Sequence, residues 1–168
     1  MFAVEPKDGR VFTPKTLAVV EEITQVFWKI PYSLRVDPIT NFQYNWSEGD
    51  DLVVQGLIGN AESFTDEQLK KVQAVALAEP LLRNRLITKK SDITGINVTI
   101  NLPHKSISET PEVVAFVDEM QDKFEKKYPS IKTYLTGVVF MDNAFNEAGE
   151  GDMKSLVPVM YSIVLLIM

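Results

Sequence analysis

Few side chains in this sequence could do chemistry, and their spacing suits it poorly. His104 is the only histidine, in Leu102-Pro103-His104-Lys105. Acid–base work or metal ligation would need a second group of suitable type held close to it. Glu109 and Glu112 follow, but acids at a helix start are explained by the dipole they complement, so His104 reads as a surface-loop residue. Asp142, Glu147, Glu150 and Asp152 form an acidic stretch. Calcium ligation demands alternating oxygens in a tight loop, and that spacing is absent. Gly149-Glu150-Gly151-Asp152 lacks the flanks of a phosphate loop, and Asp50-Asp51 after Gly49 reads as a turn. No Gly-x-Ser-x-Gly elbow, Walker A loop or dinucleotide fingerprint occurs. With no cysteine, thiolate zinc sites, cysteine nucleophiles and disulfides are excluded. The expectation is therefore a protein that is not an enzyme and has no metal and no cofactor.

Binding chemistry has one candidate. Phe42, Tyr44 and Trp46 alternate with polar residues. Packing in a core or between domains is one account of them; an apolar ligand groove is the sharper one. The net charge of −6, with no basic block, excludes nucleic acid as a partner. Lys123, Lys126 and Lys127 interleave with Asp122 and Glu125, as on a solvated helix face. Asn45-Trp46-Ser47 and Asn97-Val98-Thr99 match the glycosylation pattern, though Asn97 falls within an expected strand.

The elements that would position these residues are partly readable. Phe2-Ala3-Val4 is a strand candidate. Thr13-Pro14 is a helix start, with Thr as N-cap and Pro in the first turn. Val19, Val20, Ile23, Val26 and Phe27 then recur at helical spacing. Tyr32 to Val36 alternates as a strand. Between Asp37 and Asn60 the pattern is irregular, with Leu52-Val53-Val54 its one strand-like piece. Thr65-Asp66-Glu67-Gln68 is a capping box opening a helix that Pro80 closes. Arg85 to Thr88 and Thr94 to Ile100 read as a hairpin joined by Lys89 to Asp92. Thr110-Pro111 repeats the Thr-Pro start, ahead of an amphipathic helix through Val113, Phe116, Val117, Met120 and Phe124. Ile131 to Leu135 returns as a strand. From Val138 a further helix is expected, interrupted around Gly149-Glu150-Gly151. Two strand–helix–strand units, 2–36 and 94–135, thus flank an inserted middle. The expected fold class is α+β, with ferredoxin-like split βαβ units and that insert.

The far end differs in character. Ser155 to Met168 carries no charge, and Ile163 to Met168 offers a helix no polar face. A helix apolar all round belongs in a core or in lipid, and Pro158 is tolerated in membrane helices. We expect residues 1–150 to form an extracytoplasmic domain and 151–168 the beginning of a transmembrane helix, which needs about 20 apolar residues in full. Met1 to Pro6 leads straight into Lys7-Asp8-Gly9 without a leader pattern. A periplasmic location therefore requires an upstream membrane segment outside this sequence.

The stretch Arg35-Val36-Asp37-Pro38-Ile39-Thr40-Asn41-Phe42-Gln43, followed by Gly49-Asp50-Asp51-Leu52-Val53-Val54, resembles a segment of bacterial exporters of the resistance-nodulation-division (RND) superfamily. The branch it resembles is that of predicted hydrophobe exporters related to MmpL-type and hopanoid transporters. Pro80-Leu81-Leu82, Thr94 to Thr99, Thr136-Gly137, Asp152-Met153 and Leu156-Val157-Pro158 follow in the order such a protein would have. The resemblance implies the first periplasmic loop, a porter domain between two membrane helices at the bacterial inner membrane. It implies transport of apolar or amphiphilic, lipid-like molecules, with the proton relay in other helices. The partners implied are the rest of the transporter, its second periplasmic loop included, with further copies of the chain as an open option. The alternative is a membrane-anchored, ferredoxin-like ligand-binding or sensor domain.

Overall fold

The computed structural model describes residues 1–48, 51–58 and 61–167, with backbone alone at 44–48, 51–55 and 62. Its centre is a four-stranded antiparallel sheet of β1 (Phe2–Pro6), β2 (Ser33–Asp37), β5 (Thr94–Ile100) and β6 (Ile131–Leu135), in the order β2-β5-β1-β6. A separate hairpin pairs β3 (Gln43–Glu48) with β4 (Asp51–Gly56). The helices are α1 (Pro14–Phe27), α2 (Asp66–Ala78), α3 (Glu109–Lys127) and α4 (Val138–Ile167). Each of β1-α1-β2 and β5-α3-β6 is a strand–helix–strand unit, and their central strands pair with Phe2 opposite Ile96. This α+β arrangement is compatible with a ferredoxin-like fold.

Strand alternation decides which sheet face is covered. Phe2 and Val4 of β1, Ile96 of β5, Val36 of β2 and Ile131 of β6 point to the helix side and are buried. They meet Val19, Val20, Ile23 and Phe27 of α1 and Val113, Val117 and Phe124 of α3. Phe2 and Phe27 pack edge to face with centroids 4.9 Å apart. A second core lies under the insert, from Leu17 through Ile39, Leu57, Leu69, Val72, Leu82 and Ile87. Helix α1 therefore serves two cores: its C-terminal turns cover the sheet, and Leu17 anchors the insert.

Local signals set most helix ends. Thr13 caps α1 by accepting from the Thr16 amide at 3.2 Å. Thr65 and Gln68 form the reciprocal capping box of α2. Helix α3 departs from expectation. It starts at Glu109 with Ser108 as N-cap, so Thr110-Pro111 lies inside the first turn. Glu109 is a first-turn acid, as expected, and is buried at 5% exposure. Its carboxylate accepts from the amides of His104 (2.8 Å), Lys105 (2.8 Å) and Ser106 (3.0 Å). That grip folds the preceding loop back on the helix, with His104 at φ 55°.

Three further expectations are corrected. The irregular stretch after Asp37 holds two strands, not one, because Gln43 to Glu48 finds Asp51 to Gly56 as partner. Arg85 to Thr88 is not a strand. The Leu82 carbonyl collects the amides of Arg85, Leu86 and Ile87, Asn84 is left-handed at φ 62°, and only single bridges at Ile87 remain. The glycines at 149 and 151 do not interrupt α4, which runs unbroken from Val138 to Ile167. Each costs such a helix only about 1 kcal/mol.

Val139 and Phe140 of α4 pack on the main core and Asn143 is buried. From Ala144 to Ile167 every residue is exposed. The helix thus projects roughly 36 Å past its last buried residue, at ~1.5 Å per residue. Among the described residues no helix is long and apolar enough to cross a membrane. The apolar section Leu156–Ile167 spans only about 18 Å of the ~30 Å hydrocarbon thickness.

Candidate functional site

The helix-free face of the sheet carries the residues of opposite parity: Arg35 and Asp37 of β2, Gly95, Asn97 and Thr99 of β5, and Lys132 and Tyr134 of β6. Over its β2–β5 side two arms of the insert close an open cleft of about 910 Å³. Arg35, Asp37 and Asn97 belong to the sheet floor, and Asp37 sits opposite Asn97 in the ladder. One wall is the arm leaving β2, with Pro38, Asn41, Phe42 and Gln43. The other is the arm after α2, with Leu81, Asn84, Arg85 and Leu86. Met1 and Trp28 complete the lining.

Both arms are tied down. The Asn41 side-chain amide donates to the Val36 carbonyl at 3.2 Å, and the Leu57 amide donates to the Phe42 carbonyl at 2.7 Å. On the other side, the Gly95 amide and the Thr94 hydroxyl both donate to the Leu86 carbonyl, at 2.8 and 2.9 Å. A Cβ at Gly95 would stand 2.8 Å from the Met1 Cε, the end of a flexible side chain that would have to shift, so Met1 lies directly on the strand.

The lining combines amide groups, guanidinium groups and apolar surface. Its one carboxylate, Asp37, is bound by the Arg35 Nε at 2.6 Å. Arg85 has no carboxylate partner among the described residues. Such a surface offers apolar contact and hydrogen bonding rather than a cluster of charge.

Of the three aromatic residues expected to bind substrate, Phe42 is half-buried in a cleft wall. The side chains of Tyr44 and Trp46 lie outside the described residues; their backbones pair with Gln55 and Val53. His104 sits in the loop gripped by Glu109, away from the cleft lining. On α4, Glu147 accepts from the Asn143 amide at 2.8 Å and Glu150 pairs with Lys154 at 3.1 Å. Among the described residues no three His, Asp or Glu side chains are grouped to hold a metal. Sequence reasoning missed Arg35, Asp37, Leu81, Arg85 and Asn97 as cleft residues. Strand parity sets Arg35 and Asn97 on the face opposite Val36 and Ile96, but a polar residue there reads as solvated until the insert is folded over it.

No protein-family model matches the chain, and neither a curated protein nor a solved structure does.

Proposed function

We propose that this chain is a periplasmic porter domain of an RND-type exporter. In this reading its body has the ferredoxin-like fold, α4 becomes the beginning of a membrane helix, and the cleft contributes to the passage of hydrophobic or amphiphilic molecules. The observation that carries the proposal is the pairing of a ligand-sized cleft with a helix whose last turns are apolar on every side and touch nothing. Exposure there ranges from 36% at Val157 to 86% at Leu166, and so continuous an apolar surface is costly in water. Lipid, or other helices in lipid, removes that cost. The Met1 amine donates to the Thr136 carbonyl at 2.7 Å, so a membrane helix preceding Met1 would begin beside the base of α4.

The chain has no cysteine, which makes a labelling test direct. Single-cysteine variants Ser155→Cys and Leu165→Cys, reconstituted in liposomes, are treated with a membrane-impermeant maleimide. Position 155 is expected to label and position 165 to be protected until detergent is added. Equal labelling of both in intact liposomes rules out the membrane helix. One feature favours the second reading, a membrane-anchored ligand-binding or sensor domain: the cleft is assembled by this chain alone. An exporter needs many more apolar helices in the same reading frame, and an anchored sensor needs few.

A further inference from the structure

We propose that the cleft selects amphiphiles with an anionic head group, and that Arg85 is the residue that makes the selection. The inference deepens the reading of the domain as a carrier of amphiphiles and rests on it. Its ground is the charge balance of the lining, in a protein that is acidic overall at −6. Three charged side chains line the cleft: Arg35, Asp37 and Arg85. Arg35 and Asp37 neutralise one another at 2.6 Å. Arg85 remains, with no carboxylate within ion-pair distance among the described residues, so it is the one charged side chain of the lining left uncompensated.

The backbone holds that charge in place. Asn84 takes a left-handed conformation, which asparagine adopts more readily than other non-glycine residues, and neighbouring bonds fix the turn. Here the Asn84 amide donates to the Ile87 carbonyl at 2.8 Å and the Arg85 amide to the Leu82 carbonyl at 3.1 Å. Arg85 therefore stands on a fixed turn beside the exposed apolar surface of Leu81, with Trp28 also in the lining. A guanidinium offers a planar fork of donors that matches a carboxylate, sulfonate or phosphate. The neutral amides of Asn84 and Asn97 supply further donors without adding charge. A neutral head group forgoes the charge-assisted bond, and a cationic one meets repulsion. The apolar remainder of the molecule lies on Trp28, Leu81 and Phe42.

The experiment uses the full chain in zwitterionic nanodiscs and two dyes that differ by one group. 8-Anilinonaphthalene-1-sulfonate is the anionic probe; N-phenyl-1-naphthylamine is the same skeleton without the sulfonate. Binding is followed by energy transfer from tryptophan, with Arg85→Gln and Leu81→Ser as variants. Both alter exposed side chains, and circular dichroism verifies their folding. Arg85→Gln is expected to weaken the anionic dye about tenfold, the scale of one charge-assisted hydrogen bond, and to leave the neutral dye unchanged. Leu81→Ser is expected to weaken both. If Arg85→Gln leaves the anionic dye unchanged, or weakens both dyes alike, selection by charge is overturned while carriage of amphiphiles stands. If neither dye responds to Leu81→Ser, the cleft does not bind amphiphiles, and the substrate part of the porter reading falls with the inference.

Discussion

Glu22 is where single side chains on two helices bind the main body together. It stands on α1 and receives the Lys127 ammonium at 2.6 Å and the Tyr128 hydroxyl, both from the end of α3. Lys127 also lies 5.1 Å from the centre of the Tyr128 ring. The hydrogen bond from Lys127, followed by that from Tyr128, holds the Glu22 carboxyl below its ordinary value against a small opposing effect of burial. The same bond raises Lys127. A lowered carboxyl contributes its stability above the unfolded pKa of about 4.3 and loses it as pH falls through the lower folded value. The raised lysine contributes fully below about 10.4 and loses its share as pH climbs through the folded value above that. Between these limits the contribution is flat. Because the Glu22 side chain is more than a third exposed, Glu22→Gln should cost under about 1 kcal/mol at neutral pH. The variant should also lose less stability than the parent between pH 5 and pH 3, read from urea midpoints. An identical acid dependence in the two proteins would show that Glu22 is not a source of it. Glu109 works differently. Burial pushes its carboxyl up, but the amides of Lys105, His104 and Ser106 outweigh that and hold it below its usual value. The bonds hold the loop against the helix.

Among the elements, α4 divides most sharply into two parts. Its first turns lie against α3, with Val139 and Phe140 packed on the main core and Asn143 buried. Its remainder makes no contribution to either core. Pro158 has no amide to give the Lys154 carbonyl, and the Ser155 and Ser162 hydroxyls donate back to carbonyls within the helix at 2.9 and 2.8 Å. These are features a helix in lipid tolerates well. Deleting Leu156 to Met168 should therefore leave the fold intact and raise solubility. The expected result is an unchanged near-ultraviolet circular dichroism spectrum and a monomer in detergent-free buffer. Unfolding on deletion would mean that the tail belongs to the core. The hairpin of β3 and β4 is the second element that stands apart, since it pairs with itself and is tied to the rest at its base through Phe42 and Leu57.

For the whole molecule, the decisive feature is that one α+β frame is used on both faces. The helix side of the sheet is filled by α1 and α3. The other side would be bare, polar and solvated had the insert between β2 and β5 not folded across part of it. Two cores sharing α1 make that placement rigid, because Leu17 is buried with the insert while Phe27 is buried under the sheet. If the aromatic residues after β2 extend the binding surface, Trp46→Ala should weaken an apolar dye several-fold, as loss of one large aromatic contact does. Unchanged affinity by titration would confine binding to the cleft itself.

Whatever depends on near neighbours in the chain was legible in the residues. The Thr13 and Thr65 caps, the apolar faces of α1, α2 and α3, and the alternation of β2 arise within a few positions, where period and capping chemistry act directly. Pairing was not legible. Whether Gln43 to Glu48 is a strand depends on a partner across a turn, and whether Arg85 to Thr88 is one depends on a carbonyl at Leu82 that draws the chain into a tighter bend. The cleft lay still further out of reach. Its lining runs from Met1 to Asn97 in sequence, and folding gives Arg35 to Asp37 while Arg85 has no carboxylate partner among the described residues. Hydrophobic period and helix caps are local energies, whereas a cavity and its charge balance are sums over distant residues that no short window of sequence contains.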